Sequence, residues 1–322
     1  MPKNIMKSAM FAILGAFSAL PAQAAWPERP VTIIVPFSAG GSTDNVARIS
    51  AEWLTKALKQ PVNVENRAGA SGAIAADYVA QAPADGYTLF MVSLAQMSIV
   101  PHMQKVRYDP FRSFAPISVA STSVFALGVS NNFPARTLQE LIAYVKARPG
   151  QVAYGSSGTG SAGHLTMELF AKRAGITMTH IPYKGVAPAI GDLIGGHVPM
   201  VFGSVSEILR PYKAGKLRVV GVSSDKRLSQ MPEVPTVAEQ GFPGYQITTW
   251  NGLVAPAATP REIINTVLGA LTPACKDAGF VARFQAIDAD AWCSTPAEFA
   301  EMLKADYVKW GDAVKAAGVT AN

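Results

Sequence analysis

Two glycine-rich loops hold the residues with the clearest chemical use. The first is Pro36-Phe-Ser-Ala-Gly-Gly-Ser-Thr43, ahead of a helical pattern. Glycines let such a loop turn tightly, and the helix behind it presents unpaired amides with partial positive charge. Ser42 and Thr43 are capping residue types whose hydroxyls could instead bond a ligand. Asp44 suits the first helical turn and can pair with Arg48 at i,i+4, which favours a structural role. The second loop, Tyr154-Gly-Ser-Ser-Gly-Thr-Gly-Ser-Ala-Gly163, also lies between a strand and a helix. Small residues with the hydroxyls of Ser157, Thr159 and Ser161 would make a good carboxylate cradle.

Two enzymatic readings of the second loop fail on their own terms. Gly158, Gly160 and Gly163 spell Gly-x-Gly-x-x-Gly, the dinucleotide fingerprint. That motif needs an acidic residue about 20 positions on to hold a ribose. Met178 to Val186 supplies none, and Lys184 stands near that point. A serine-hydrolase elbow needs Gly-x-Ser-x-Gly, and around Ser157 the closing position is Thr159. His164, one turn from Ser161, is explained by a capped helix. His102, His164, His180 and His197 are too scattered to suggest a metal site. The expectation is a binding protein with no catalytic residues, metal or cofactor.

The elements around these loops alternate. Val31 to Val35 is a short apolar run rich in β-branched residues, as in a strand buried on both faces. Val46, Ile49, Trp53, Leu54, Ala57 and Leu58 then recur at helical spacing. Strand Val62 to Glu65, glycine loop Arg67 to Gly72, helix Ala73 to Gln81 and strand Tyr87 to Val92 repeat the unit. Such a succession predicts a parallel α/β sheet. Val119 to Val129 reads as one or two strands, and the pattern then restarts about 115 residues after the first glycine loop. Gln151 to Tyr154, a helix from His164, Met178 to Pro182, a helix Pro188 to Ile194, and strands Val198 to Phe202 and Leu217 to Val222 form the second set. Tyr245 to Thr249 is a late strand, and the tail is helical over Pro260 to Leu271, Thr272 to Phe284 and Pro296 to Ala317. Two similar lobes with the glycine loops facing a shared cleft are predicted, because ligands in open α/β sheets bind beyond the carboxyl ends of strands.

The first 24 residues read as an export signal. Lys3 and Lys7 precede the apolar stretch Ala9 to Leu20, and Ala22-Gln23-Ala24 gives the small-x-small cleavage pattern. Twelve apolar residues are too few to span a bilayer of about 30 Å, and no cysteine follows the cleavage point for lipid attachment. The mature chain of about 298 residues keeps 26 basic against 22 acidic residues, a net charge of +4. This excess favours anionic ligands, but no basic run exceeds two residues, which argues against nucleic acid. In an oxidising compartment, Cys275 and Cys293 are expected to form a disulfide.

Nine segments in order give a specific resemblance. They are Trp26 to Pro30, Pro36 to Asp44, Glu65 to Gly72, Ala84 to Leu89, Tyr108 to Phe111, Tyr154 to Gly158, His180 to Gly185, Lys213 to Arg218 and Pro232 to Thr236. Across nearly the whole mature chain, the sequence resembles the tripartite tricarboxylate transporter substrate-binding family, also called the Bug family. The resemblance implies an α/β type II periplasmic-binding-protein fold, with two α/β lobes around a ligand cleft. It places residues 25–125 plus 247–322 in lobe I and 126–246 in lobe II.

The implied ligand is a small carboxylate-bearing molecule, captured in the periplasm by a monomer and passed to the membrane components of a tripartite transporter. The same loops would equally serve a sensor that presents the ligand to a membrane signalling partner. Carried over from the family, the ligand-binding residues are Phe37, Ser38, Ala39, Gly40, Gly41 and Asp44, then Ser93 and Leu94. Ser156, Ser157, Thr159, Gly160, Ser161 and His164 follow in the second loop. Tyr183, Gly203, Ser204 and Trp250, with Asn251 beside it near the hinge, would tune which ligand fits. Gly203 replaces a position often polar in relatives, and Leu94 one often smaller. Intact-mass measurement of the periplasmic fraction should find a chain beginning at Ala25; retention of Met1 to Ala24 would contradict the signal reading.

Overall fold

The computed structural model describes residues 26–287 and 289–319, so the signal segment 1–24 lies outside the described residues. The strands are β1 (Val31–Val35), β2 (Val62–Asn66), β3 (Thr88–Ser93), β4 (Phe114–Ser130) and β5 (Ala153–Ser156). They continue as β6 (Thr179–Pro182), β7 (Met200–Ser204), β8 (Leu217–Val222), β9 (Thr248–Pro256) and β10 (Asp290–Ala291). The helices are α1 (Ser42–Leu58), α2 (Ala73–Ala80), α3 (Val100–Met103), α4 (Leu138–Lys146) and α5 (Ala162–Ala174). After these come α6 (Val186–Gly195), α7 (Val205–Lys213), α8 (Arg261–Leu271), α9 (Ala278–Gln285) and α10 (Pro296–Ala317).

The parallel units predicted from the sequence are present. β1 pairs in parallel with both β2 and β3, and β5 with both β6 and β7. Both faces of β1 are covered: Ile33 and Val35 pack with Val46 and Leu54 of α1, whereas Ile34 packs with Ala75, Ala76 and Val79 of α2. That is why the strand reads as an unbroken apolar run.

A single strand joins the two sets. The first part of β4 runs antiparallel to β9 as far as Val124↔Thr248. From Phe125↔Ser204 onward the same strand pairs with β7, and on its other edge with β8. The chain crosses back beside this point. Ser223 Oγ accepts from Phe125 N at 2.8 Å and donates to Ile247 O at 2.6 Å. Ser223 N also donates to Phe125 O, and Ile247 N to Ser223 O. The arrangement is the α/β fold, with two sets of strands joined at a crossing, that the resemblance implies.

Several boundaries differ from the sequence reading. The late strand runs over Thr248–Pro256 rather than 245–249, because β3 and β4 flank it on both sides and extend its ladder. The expected helix 272–284 is broken: Ala274–Lys276 is a 3₁₀ turn, and Asp277 restarts the chain as the cap of α9 by accepting from Phe280 N at 2.8 Å. Helix α7 was not foreseen, as Pro211 in its last turn disguises the periodicity. The terminal helix α10 starts with a Thr295–Glu298 capping box and spans both sets of strands. Trp250 Nε1 donates to Asp306 at 2.7 Å, and Lys172 of α5 donates to Ala316 O at the far end.

Cys275 and Cys293 are disulfide-bonded, with Cα atoms 5.9 Å apart. The bond ties the segment before α9 to the chain leaving β10. Closing a loop over a separation of 18 residues restricts the unfolded chain by about 3 kcal/mol in the entropy model. Thiol titration of the unfolded, unreduced protein should find no free thiol, and Cys275→Ser/Cys293→Ser should unfold at clearly lower urea concentration. Equal midpoints would show that the bond adds nothing.

Candidate functional site

The starts of α1, α5 and α7 converge on one cleft. Its inner chamber, about 50 Å³, is lined by Phe37, Gly41, Ser42, Thr43, Ser93, Ala95, Phe125, Ser157, Ala162, Gly163, Val186, Ser204, Glu207, Thr249 and Asn251. A space this small holds a few waters or the compact polar end of a ligand. The first-turn amides of α1 and α5, at Thr43, Ala162 and Gly163, have no acceptor within their own helices. They form an electropositive wall to which, among the described residues, no lysine, arginine or histidine contributes. The outer chamber is larger, about 540 Å³, and shares Phe37 and Ser157 with the inner one. Its remaining walls include Ala70, Ser71, Gln104, Thr159, His164, His180, Tyr183 and Lys184.

Asp44 fixes the first loop. Its buried carboxylate accepts from Gly40 N at 2.8 Å, Asn66 Nδ2 at 2.9 Å and Arg48 Nε at 2.9 Å. These partners hold its pKa below the usual carboxylate value although burial pulls the other way. Asn66 also donates to Phe37 O at 2.9 Å, so β2, the loop and α1 are tied together.

In the second loop, Ser161 caps α5 by accepting from His164 N, and Gly160 N donates to His164 Nδ1 at 3.1 Å. His164 stacks on His180 with ring centroids 3.9 Å apart. Burial lowers the pKa of His164 to about 3, with the neighbouring His180 adding to the effect, and burial lowers that of His180 to about 4. Both rings are therefore neutral near pH 7. Ser156 Oγ lies 2.7 Å from His180 Nε2, but this is no nucleophile and base. The serine is fully buried and donates its own proton to Gly158 O at 3.0 Å, so the imidazole is the donor.

Three hydrogen bonds close the cleft. Ser38 N donates to Lys184 O at 3.2 Å, Ser71 Oγ to Thr159 O at 2.6 Å, and Ser42 N to Glu207 Oε1 at 2.8 Å. Glu207 Oε2 also accepts from Ser204 N at 2.9 Å. Glu207 lines the cleft wall, and enclosure among protein atoms pushes its carboxyl up to about 7 against the pull of these two amides.

Residues 46–319 match the family model described as the tripartite tricarboxylate transporter family receptor. The chain belongs to this family. It is 35% identical over 320 residues to BugT of Bordetella pertussis, covering 96% of this chain and 97% of that protein. Rpa4515 of R. palustris, solved with adipate, superposes with a TM-score of 0.89 at 34% identity, covering 92% of this chain and 99% of that one. MatC of Rhodopseudomonas palustris, solved with malate, gives 0.86 at 29%, covering 90% and 100%. Among the described residues, no helix of this receptor is long and apolar enough to cross a membrane.

The receptor brings only some of the expected residues to the cleft. Phe37 and Ser157 line both chambers; Gly41, Ser93 and Ser204 line the inner, and Thr159, His164 and Tyr183 the outer. Ser38 closes the cleft through its backbone, while Ala39 and Gly40 are exposed beside it. Asp44, Ser156, Gly160 and Ser161 hold the loops from behind. Leu94 packs in the core, and Gly203 lies in β7 against Ile208. Trp250 points away into the core, and strand alternation turns Thr249 and Asn251 toward the inner chamber instead. The 70–72 turn also reaches the outer chamber, with Ala70 and Ser71 at φ 46° and 51°, a left-handed geometry that no sequence signal announces.

Glu207 was missed as a site residue, although Ser204-x-x-Glu207 is a legible capping box. A carboxyl with a raised folded pKa binds more protons when folded. Its stabilising contribution is full below its unfolded pKa, near 4.5, and is lost as pH rises through about 7. Urea unfolding at pH 5 and pH 8 should show wild type losing stability relative to Glu207→Gln as pH rises. A flat or rising difference would contradict the enclosed carboxyl.

Proposed function

We propose that this receptor captures a small carboxylate-bearing solute between lobe I (25–125 plus 247–322) and lobe II (126–246), and that the starts of α1 and α5 take the carboxylate. The observation that carries this reading is the convergence of these helix starts and their hydroxyls on a cleft whose inner chamber, among the described residues, has no cationic side chain. The relatives solved with adipate and malate support the ligand class. A ligand touching both lobes binds the closed form better, and that difference drives closure. After export, the protein works as a periplasmic monomer, delivering its ligand to the membrane components of a tripartite tricarboxylate transporter. It acts as a receptor and not as an enzyme.

Gly185 tests the closure. It sits at φ +150°, and an added Cβ would come within 2.1 Å of Ser38 Oγ and 3.0 Å of Ser38 N. Native mass spectrometry should identify a co-purified carboxylic acid. Calorimetry should then show Gly185→Ala binding it about tenfold more weakly or worse, equivalent to about 1.4 kcal/mol, with folding retained. Unchanged affinity would mean that this contact is not part of the bound state, and a co-purified ligand without a carboxylate would overturn the reading.

A further inference from the structure

The inner chamber contains a carboxyl of the protein's own. Both Glu207 oxygens already accept backbone amides, from Ser42 and Ser204, and each keeps a further lone pair. Among the described residues, no lysine, arginine or histidine lines this chamber. Among the described residues none forms an ion pair with Glu207. Asn251 lines the same chamber at 3% exposure, and its Oδ1 has no hydrogen-bond partner. A buried acceptor left unpaired is costly, so this atom calls for a donor that the protein does not supply.

The chamber is therefore two-sided. The helix starts at Thr43, Ala162 and Gly163 offer N–H groups to an acceptor, whereas Glu207 Oε1 and Oε2 and Asn251 Oδ1 can only accept while the glutamate is ionised. A carboxylate satisfies the first side. Against the second it would place like charges together in a confined, poorly solvated space.

We propose that Glu207 and Asn251 determine specificity, requiring a ligand that carries an N–H donor, as an ammonium or a carboxamide, beside its carboxylate. Where Glu207 is ionised, a second carboxylate at that position is rejected by charge, a negative selection added to the attractive one. The proposal rests on the cleft being a carboxylate site. The ligand class is then an amino acid or a monoamide of a dicarboxylic acid, and a plain dicarboxylate is disfavoured.

Matched probes separate these classes: succinate, succinamate and 4-aminobutyrate, with adipate, adipamate and 6-aminohexanoate as the longer set. Calorimetry on the wild-type protein at pH 8, where Glu207 is ionised, should show the ammonium or amide member of at least one set binding at least tenfold tighter than its dicarboxylate. Glu207→Gln, which supplies an N–H in place of an oxygen, should cut that preference about tenfold. Asn251→Asp should sharpen the preference for the ammonium probe, and it decides the matter should Glu207→Gln not fold. Dicarboxylates binding wild type as tightly as their partners would overturn this inference and leave the carboxylate site standing. An unchanged preference in the folded variants would also overturn it. Failure of all six probes would overturn the carboxylate site together with the inference.

Discussion

The structure depends on one strand serving two sheets. β4 is long enough to pair with β9 over its first part and with β7 and β8 over its second, and the change of partner falls between Val124 and Phe125. The returning chain is fastened at the same level by Ser223, whose hydroxyl and backbone together bond Phe125 and Ile247. One apolar cluster runs past this crossing, from Ile34 and Phe90 of the first set to Tyr154 and Phe202 of the second. The loops at the carboxyl ends of β1, β5 and β7 consequently face one another, and the cleft follows from the position of the crossing.

Within that frame, the described residues of the cleft wall offer donors that are almost wholly neutral. His164 and His180 lie in the cleft wall but are kept uncharged by burial. Lys184 contributes its carbonyl to Ser38 and lines only the outer chamber. Helix-start amides and hydroxyls supply directional donors whose number is fixed by the fold, unlike a flexible cation that would attract any anion. Among the described residues, Glu207 is the one acidic side chain that lines the inner chamber.

Legibility in the sequence followed the range of the interaction. β1, α1 and both glycine loops were visible because strand patterning, glycine turns and capping residues act over a few positions. The Ser204–Glu207 capping box is equally local and equally visible. Its extension to Ser42 spans 165 positions, and no local signal can report it. The cleft side of β9 was misplaced for a related reason. The strand was expected to stop at Thr249, and strand alternation was therefore not carried through Trp250 and Asn251. Only the flanking β3 and β4 show that the ladder continues and that Asn251 faces the cleft. Leu94 and Gly203 came from family likeness alone; in this chain one is core and the other packs on Ile208.

The Asp44 network has a consequence for the thermodynamics of recognition. By tying Gly40, Arg48 and Asn66 together, one buried carboxylate freezes the first loop as the protein folds. A ligand then meets a surface whose ordering entropy has been spent in advance, so less of its interaction energy is consumed on arrival. A rigid wall also cannot relax around a poor fit. Mismatched solutes must bear their own strain and desolvation, and this stiffness converts small differences in ligand shape into differences in occupancy.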